Sequence, residues 1–138
     1  MAWWLVKQEP ATYSFEQFQK EKTTEWTGVR NYQARNFLKA MQPSDRVFFY
    51  HSGEQKAIVG LAIVAKAAFP DPTADKPNKE GWVAVELKTE QALGAPISLA
   101  QIKTEKKLKD LLLIKQSRLS VMPVSEIQAK ALLALAKD

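Results

Sequence analysis

Cysteine is absent from the sequence and histidine occurs once, as His51. The first absence excludes disulfides, thiolate nucleophiles and cysteine-bound zinc. The second leaves one imidazole, too few for the usual transition-metal sites. Ser52 follows His51 directly, and neighbouring strand positions face opposite ways, so the two do not form a nucleophile–base pair. Glycine is scarce, with five residues, and neither G-x-x-x-x-G-K-[ST] nor G-x-G-x-x-G occurs. Phosphate loops of those types are therefore unsupported. Carboxylates are scattered, with no spacing that suggests a glycosidase or aspartic-protease pair. No apolar run approaches the roughly 20 residues of a membrane helix. Met1 to Lys7 lacks a charged leader region and a cleavage site, so no secretory signal is expected and a cytoplasmic location fits. These exclusions lead to an expectation of no cofactor and no metal.

The chain has 138 residues, the size of one domain, and a hydrophobic content of 46% suited to a packed core. Its net charge of +5 is unevenly spread: residues 101–138 hold eight Lys/Arg against four Asp/Glu. Lys103, Lys106, Lys107, Lys109, Lys115 and Arg118 form the excess. Such a patch attracts polyanions, or it is a solvated lysine face.

Trp3–Lys7 reads as a strand. Three Ser-x-x-Gln capping boxes, at Ser14, Ser98 and Ser125, open helices, the first ending near Lys20 and the last being terminal. Asn31 caps a helix to about Met41, with Ala34, Phe37, Leu38 and Met41 on one face. Arg46–His51 and Ala57–Ala65 read as a hairpin, Trp82–Lys88 as a strand beginning at the tryptophan, and Leu111–Ile114 and Arg118–Met122 as further extended segments. Trp26 follows a polar loop, and residues 69–81 read as the most flexible segment. A run of strands with flanking helices implies an α+β domain whose sheet is largely antiparallel and curled.

The densest cluster of chemistry is Trp26-Thr27-Gly28-Val29-Arg30-Asn31-Tyr32-Gln33-Ala34-Arg35-Asn36. A flat ring, a guanidinium and an amide beside a turn-permitting glycine suit a planar, polar ligand on a phosphate chain, such as a nucleobase. Trp26 is a ligand wall or a half-buried structural tryptophan. Asn31 caps its helix or reads a base edge. Arg30 stacks, grips a phosphate, or pairs with Glu9 or Glu25. Trp3, Trp4 and Trp82 read as core.

Several segments in order carry a family resemblance: Trp4–Pro10, Glu25–Leu38, Asp45–Ser52, Ile58-Val59-Gly60, Asp71-Pro72-Thr73 and Arg118–Pro123. Through nearly its whole length the chain resembles the EVE domain family, a branch of the PUA-like superfamily related to the YTH readers. The resemblance implies a β-barrel-like sheet of five to six strands flanked by short helices. It also implies a pocket for a flipped, modified nucleobase, a modified cytosine or adenine in DNA or RNA, and hence a non-catalytic nucleic-acid partner. On that reading Trp26, Gly28, Val29, Arg30, Asn31, Lys7, Glu9, Tyr50, His51, Ser52 and Ser120 form the base site, and Arg118, Lys115 and Lys107 meet phosphate. Gln8 and Met122 depart from the family's more common Ser and Gln, and both are expected at the site's rim. Two other readings are open: a small-molecule or protein-interaction module using the same pocket, and an enzyme on nucleic acid with His51 and Glu9 as acid–base groups. The oligomeric state, a monomer included, is not fixed by the sequence.

Overall fold

The computed structural model describes residues 1–136. In chain order the elements are β1 (Trp3–Gln8), α1 (Phe15–Glu21), β2 (Thr23–Trp26), α2 (Tyr32–Ala40), β3 (Arg46–His51), β4 (Ala57–Pro70) and β5 (Val83–Ser98). Then follow α3 (Leu99–Thr104), a 3-10 turn (Lys106–Leu108), α4 (Leu112–Lys115), β6 (Val121–Val124) and α5 (Glu126–Leu135). Six strands form one sheet in the order β2-β5-β4-β3-β1-β6, antiparallel except where β1 runs parallel to β3. This is the expected α+β class. Its six strands match the expected five to six, and with β2 and β6 as edges the sheet is not closed by hydrogen bonds. Four register shifts between β4 and β5 interrupt the ladder, and such bulges bend and twist a sheet.

The helix caps follow the sequence closely. Ser98 and Ser125 make complete capping boxes with Gln101 and Gln128. Ser14 makes only half of one, because the Gln17 amide turns to Glu21 instead. On α2, Ala34 and Leu38 are buried, with Met41 just beyond and Phe37 packed alongside.

Several elements differ from expectation. Thr23–Trp26 is a strand rather than a loop; as an edge strand it buries one face only, and its polar residues hide the pattern. Strands β4 and β5 run far past their apolar halves, into segments too exposed to show alternation. Trp82 precedes β5, its backbone clasped on both sides by Asn78. Leu112–Lys115 is one helical turn, with bonds from Ile114 and Lys115 N–H back to the Leu111 carbonyl. Strand β6 starts later than expected and runs through Pro123. A sheet edge tolerates proline because no neighbour needs its missing N–H. Segment 69–81 is not free either: its first two residues end β4, and Asp71 is buried within it.

The core lies between the sheet and the helices, centred on Phe15, Phe18, Phe48, Phe49, Leu38 and Leu87. Trp4 belongs to it as expected, with its indole N–H donating to buried Asp45. Trp3 is half-buried, stacked on Phe48 and covered by Arg46. No helix among the described residues is long and apolar enough to cross a membrane.

Candidate nucleic-acid interface

The turn between β2 and α2 is built around one buried carboxylate. Gly28 adopts φ +82°, a conformation glycine takes without a Cβ penalty. Its N–H donates to Asp71 Oδ2 at 2.8 Å, and the same oxygen receives the Arg30 guanidinium at 2.9 Å. Asp71 Oδ1 accepts from the Thr73 N–H and hydroxyl, both at 2.7 Å. Burial alone would raise the pKa of this carboxyl. The bonds from Thr73, Gly28 and Arg30 outweigh burial and hold its pKa down, to about 2. Arg30 also reaches Thr73 Oγ1 and its neighbour's Val29 carbonyl. Its partner is thus Asp71, not Glu9 or Glu25.

Beside this turn lies a cleft of about 430 Å³ lined by Gln8, Thr12, Tyr13, Thr24, Glu25, Trp26, Thr27 and Gly28. Trp26 is 5% exposed, more buried than either sequence alternative. It packs edge-on against Phe49 at 5.5 Å and Tyr13 at 6.4 Å, giving the cleft only a narrow strip. Tyr13 is the more open ring, its hydroxyl donating to Glu21 at 2.6 Å. Burial and that carboxylate push its pKa up, to about 12, so the phenol stays neutral.

A second, more open cleft of about 340 Å³ is lined by Asn31, Gln33, Lys115, Gln116, Ser117, Arg118 and Leu119. Asn31 caps α2 by accepting from the Ala34 N–H at 2.9 Å. That bond uses the amide oxygen and leaves its NH2 group for other partners. Arg118 makes no ion pair among the described residues, and Lys115 lies 3.9 Å from Asp110 with both exposed. Lys7 joins the two clefts: Gln8 beside it lines the first, and its ammonium donates to the Ser117 carbonyl at 2.6 Å, near the Tyr50 ring. Burial lowers its pKa. The Ser120 carbonyl accepts from the Lys7 N–H.

Other expected site residues serve the scaffold or sit apart. His51 Nε2 accepts from the Phe15 N–H at 3.0 Å, so Nδ1 carries the hydrogen given to Gln55 Oε1 at 2.7 Å. Neither nitrogen can move a proton without breaking one of these bonds, the first tying α1 to β3 and the second tying β3 to the turn before β4. Tyr50 is buried, and burial pushes its pKa up. Val29 is buried in the core. Glu9 and Ser52 line a separate hollow with Gly53 and Gln55. Lys107 lies against α5, apart from both clefts. Met122 is fully buried, so it is no rim residue; Gln8 is one. Tyr13, Thr12 and Thr24 escaped sequence reasoning, as did the role of Asp71, although the Asp-Pro-Thr turn was its signal. Among the described residues no three His, Asp or Glu stand together as a metal site.

The fold and site define an α+β domain with an open, curled sheet and a polar, aromatic-walled cleft beside a basic one. The EVE domain model matches residues 2–135, and the chain belongs to the EVE domain family. It is 37% identical to rat thymocyte nuclear protein 1, over 96% of this chain and 73% of that protein. A crystal structure of a Pseudomonas putida protein is 40% identical, with a TM-score of 0.91 over 98% of this chain and 99% of that one. The structure of human THYN1 protein in complex with 5-methylcytosine-containing DNA is 31% identical, with a TM-score of 0.91 over all of this chain and 99% of the other.

Proposed function

We propose that this EVE domain is a non-catalytic reader that binds nucleic acid and takes a modified base into the cleft beside Trp26. The observation that carries the reading is the cleft itself, where the Tyr13 ring and a strip of Trp26 share one lining with the hydrogen-bonding groups of Gln8, Thr12, Thr24, Glu25 and Thr27. Its volume lies in the lower part of the small-ligand range of about 300–1,000 Å³. Glu25 accepts hydrogen bonds, and carboxylates pair with the exocyclic amine of cytosine. Gln8 and the threonines both donate and accept. This set suits cytosine or adenine, whose modified forms keep a planar ring and a nitrogen donor. The human relative's complex with 5-methylcytosine DNA supports the same class of ligand. Arg118, Lys115 and the Asn31 amide then meet the sugar-phosphate, while Lys7 positions the loop that carries Arg118. The doubly bonded His51 gives no support to an acid–base role.

The test is a titration of matched strands carrying cytosine, 5-methylcytosine, adenine or methylated adenine, at fixed salt. A preference for one modified strand is expected, narrowed by Glu25→Ala and by Trp26→Phe. Equal affinity for all strands, or variants that keep the parent's preference, would remove this reading.

A further inference from the structure

Two large aromatic side chains stand outside the core and against each other. Tyr32, the first residue of α2, is 56% exposed. Its ring stacks on Trp82 with centroids 5.1 Å apart and planes 19° from parallel. The Arg35 guanidinium lies 4.9 Å from the Tyr32 centroid, and that of Arg30 lies 5.6 Å from Trp82. The result is a surface ladder in the order Arg35, Tyr32, Trp82, Arg30. Neither ring belongs to the buried cluster or its partly buried margin. Aromatic surface is thus left open beside two guanidinium groups, the pairing on which nucleobases stack.

Three of the four rungs are held by hydrogen bonds. Trp82 is clasped by Asn78 through both backbone groups, and its carbonyl accepts from the Asp71 N–H. Arg30 is fixed by Asp71 and Thr73. Arg35 is gripped by Asn36 Oδ1 and the Glu80 carbonyl. The surface is therefore preorganised, and a ligand binding it orders little. Its charge is positive: Asp71 neutralises Arg30, whereas Arg35 pairs with no carboxylate among the described residues. The Lys39 ammonium sits with Arg35 beside Gly81. The ladder also meets the proposed base cleft, since Asp71 Oδ2 bonds both Arg30 and the cleft's Gly28.

We infer that this ladder is a second contact site for nucleic acid, a platform on which a nucleotide flanking the read base packs on the outer plane of the Arg35 guanidinium and the open edge of Tyr32 while its phosphate meets the Arg35 and Lys39 charges. Nucleobases stack on aromatic rings and guanidinium planes whatever their sequence, so the platform supplies affinity and no discrimination. The inference rests on the nucleic-acid reading above and deepens it.

The experiment measures affinity of short single-stranded DNA, with cytosine or 5-methylcytosine at its centre, for the parent, Tyr32→Ala, Tyr32→Phe, Arg35→Ala and Glu25→Ala. Tyr32→Ala is expected to weaken both strands equally, by roughly fivefold or more. Tyr32→Phe should bind as the parent does. Arg35→Ala should weaken both strands and lower the slope of log affinity against log salt by about one. Thermal melts separate lost contact from lost fold: Tyr32 is exposed, so its variants should melt near the parent. If Tyr32→Ala and Arg35→Ala bind both strands like the parent while Glu25→Ala loses the preference, the ladder is overturned and base reading stands. If the parent binds both strands alike but Tyr32→Ala weakens them, the ladder stands and base reading falls. A parent that binds no strand overturns both.

Discussion

Asp71→Asn is the perturbation whose size follows most directly from the structure. The native carboxylate accepts four hydrogen bonds and one of them is an ion pair, with its side chain fully buried. An amide keeps the shape but offers one acceptor, and its NH2 must face the Arg30 guanidinium or the Thr73 N–H. The folded-state pKa of about 2 lies below the ordinary 3.8, which corresponds to roughly 2 to 3 kcal/mol at about 1.4 kcal/mol per unit. That figure is an upper one, since Arg30 is 36% open to water and screened. The sign follows from the depression: the stabilisation is complete above pH 4 and disappears as pH falls through about 2. At neutral pH the variant should therefore melt about 5–8 °C below the parent. The assay is thermal unfolding of both proteins by circular dichroism from pH 7 down to pH 2.5. The gap between them should narrow below pH 4. A gap that is absent at pH 7, or that stays constant to pH 2.5, would refute the assignment of Asp71 as an ionised keystone.

Three further outcomes are expected. His51→Ala leaves the Phe15 N–H buried without an acceptor and should cost about 1–3 kcal/mol in thermal unfolding, with strand preference intact below the transition. Gly60→Ala places a Cβ into the Phe15 ring, so the aromatic cluster must shift; overpacking of this kind costs about 1–3 kcal/mol by the same assay. Arg118→Ala should weaken modified and plain strands by one common factor and lower the salt slope by about one, read from titrations at several salt concentrations.

Where local chemistry dictates structure, the sequence announces it. Ser98 and Ser125 cap their helices as their glutamines require, and Asn31 begins α2 because its oxygen meets the Ala34 N–H. The Trp26–Asn31 turn stands out in the sequence because its residue types are costly to gather, and in the structure Trp26 and Val29 pack inward, Asn31 caps α2 and Arg30 pairs with Asp71. Long-range pairing was not legible. Nothing near Trp26 says that its backbone lies opposite Val85, so β2 reads as a loop. Nothing near Arg30 names Asp71, 41 residues away, as its partner. The single histidine drew attention as a potential catalyst, yet its two bonds tie Phe15 and Gln55, a role visible only once α1 packs on β3. Tyr13 reads as the residue before a cap and becomes a cleft wall only in three dimensions.

The ratio of affinities for a 5-methylcytosine strand and its cytosine twin tests the central claim most directly. Burying one methyl group contributes about 0.8 kcal/mol, so the account expects the modified strand to bind about fourfold or more tightly. It also expects that ratio to fall toward one in Glu25→Ala and Trp26→Phe. If no modified strand, adenine or cytosine, is preferred over its plain twin, the cleft beside Trp26 is not a reader of modified bases.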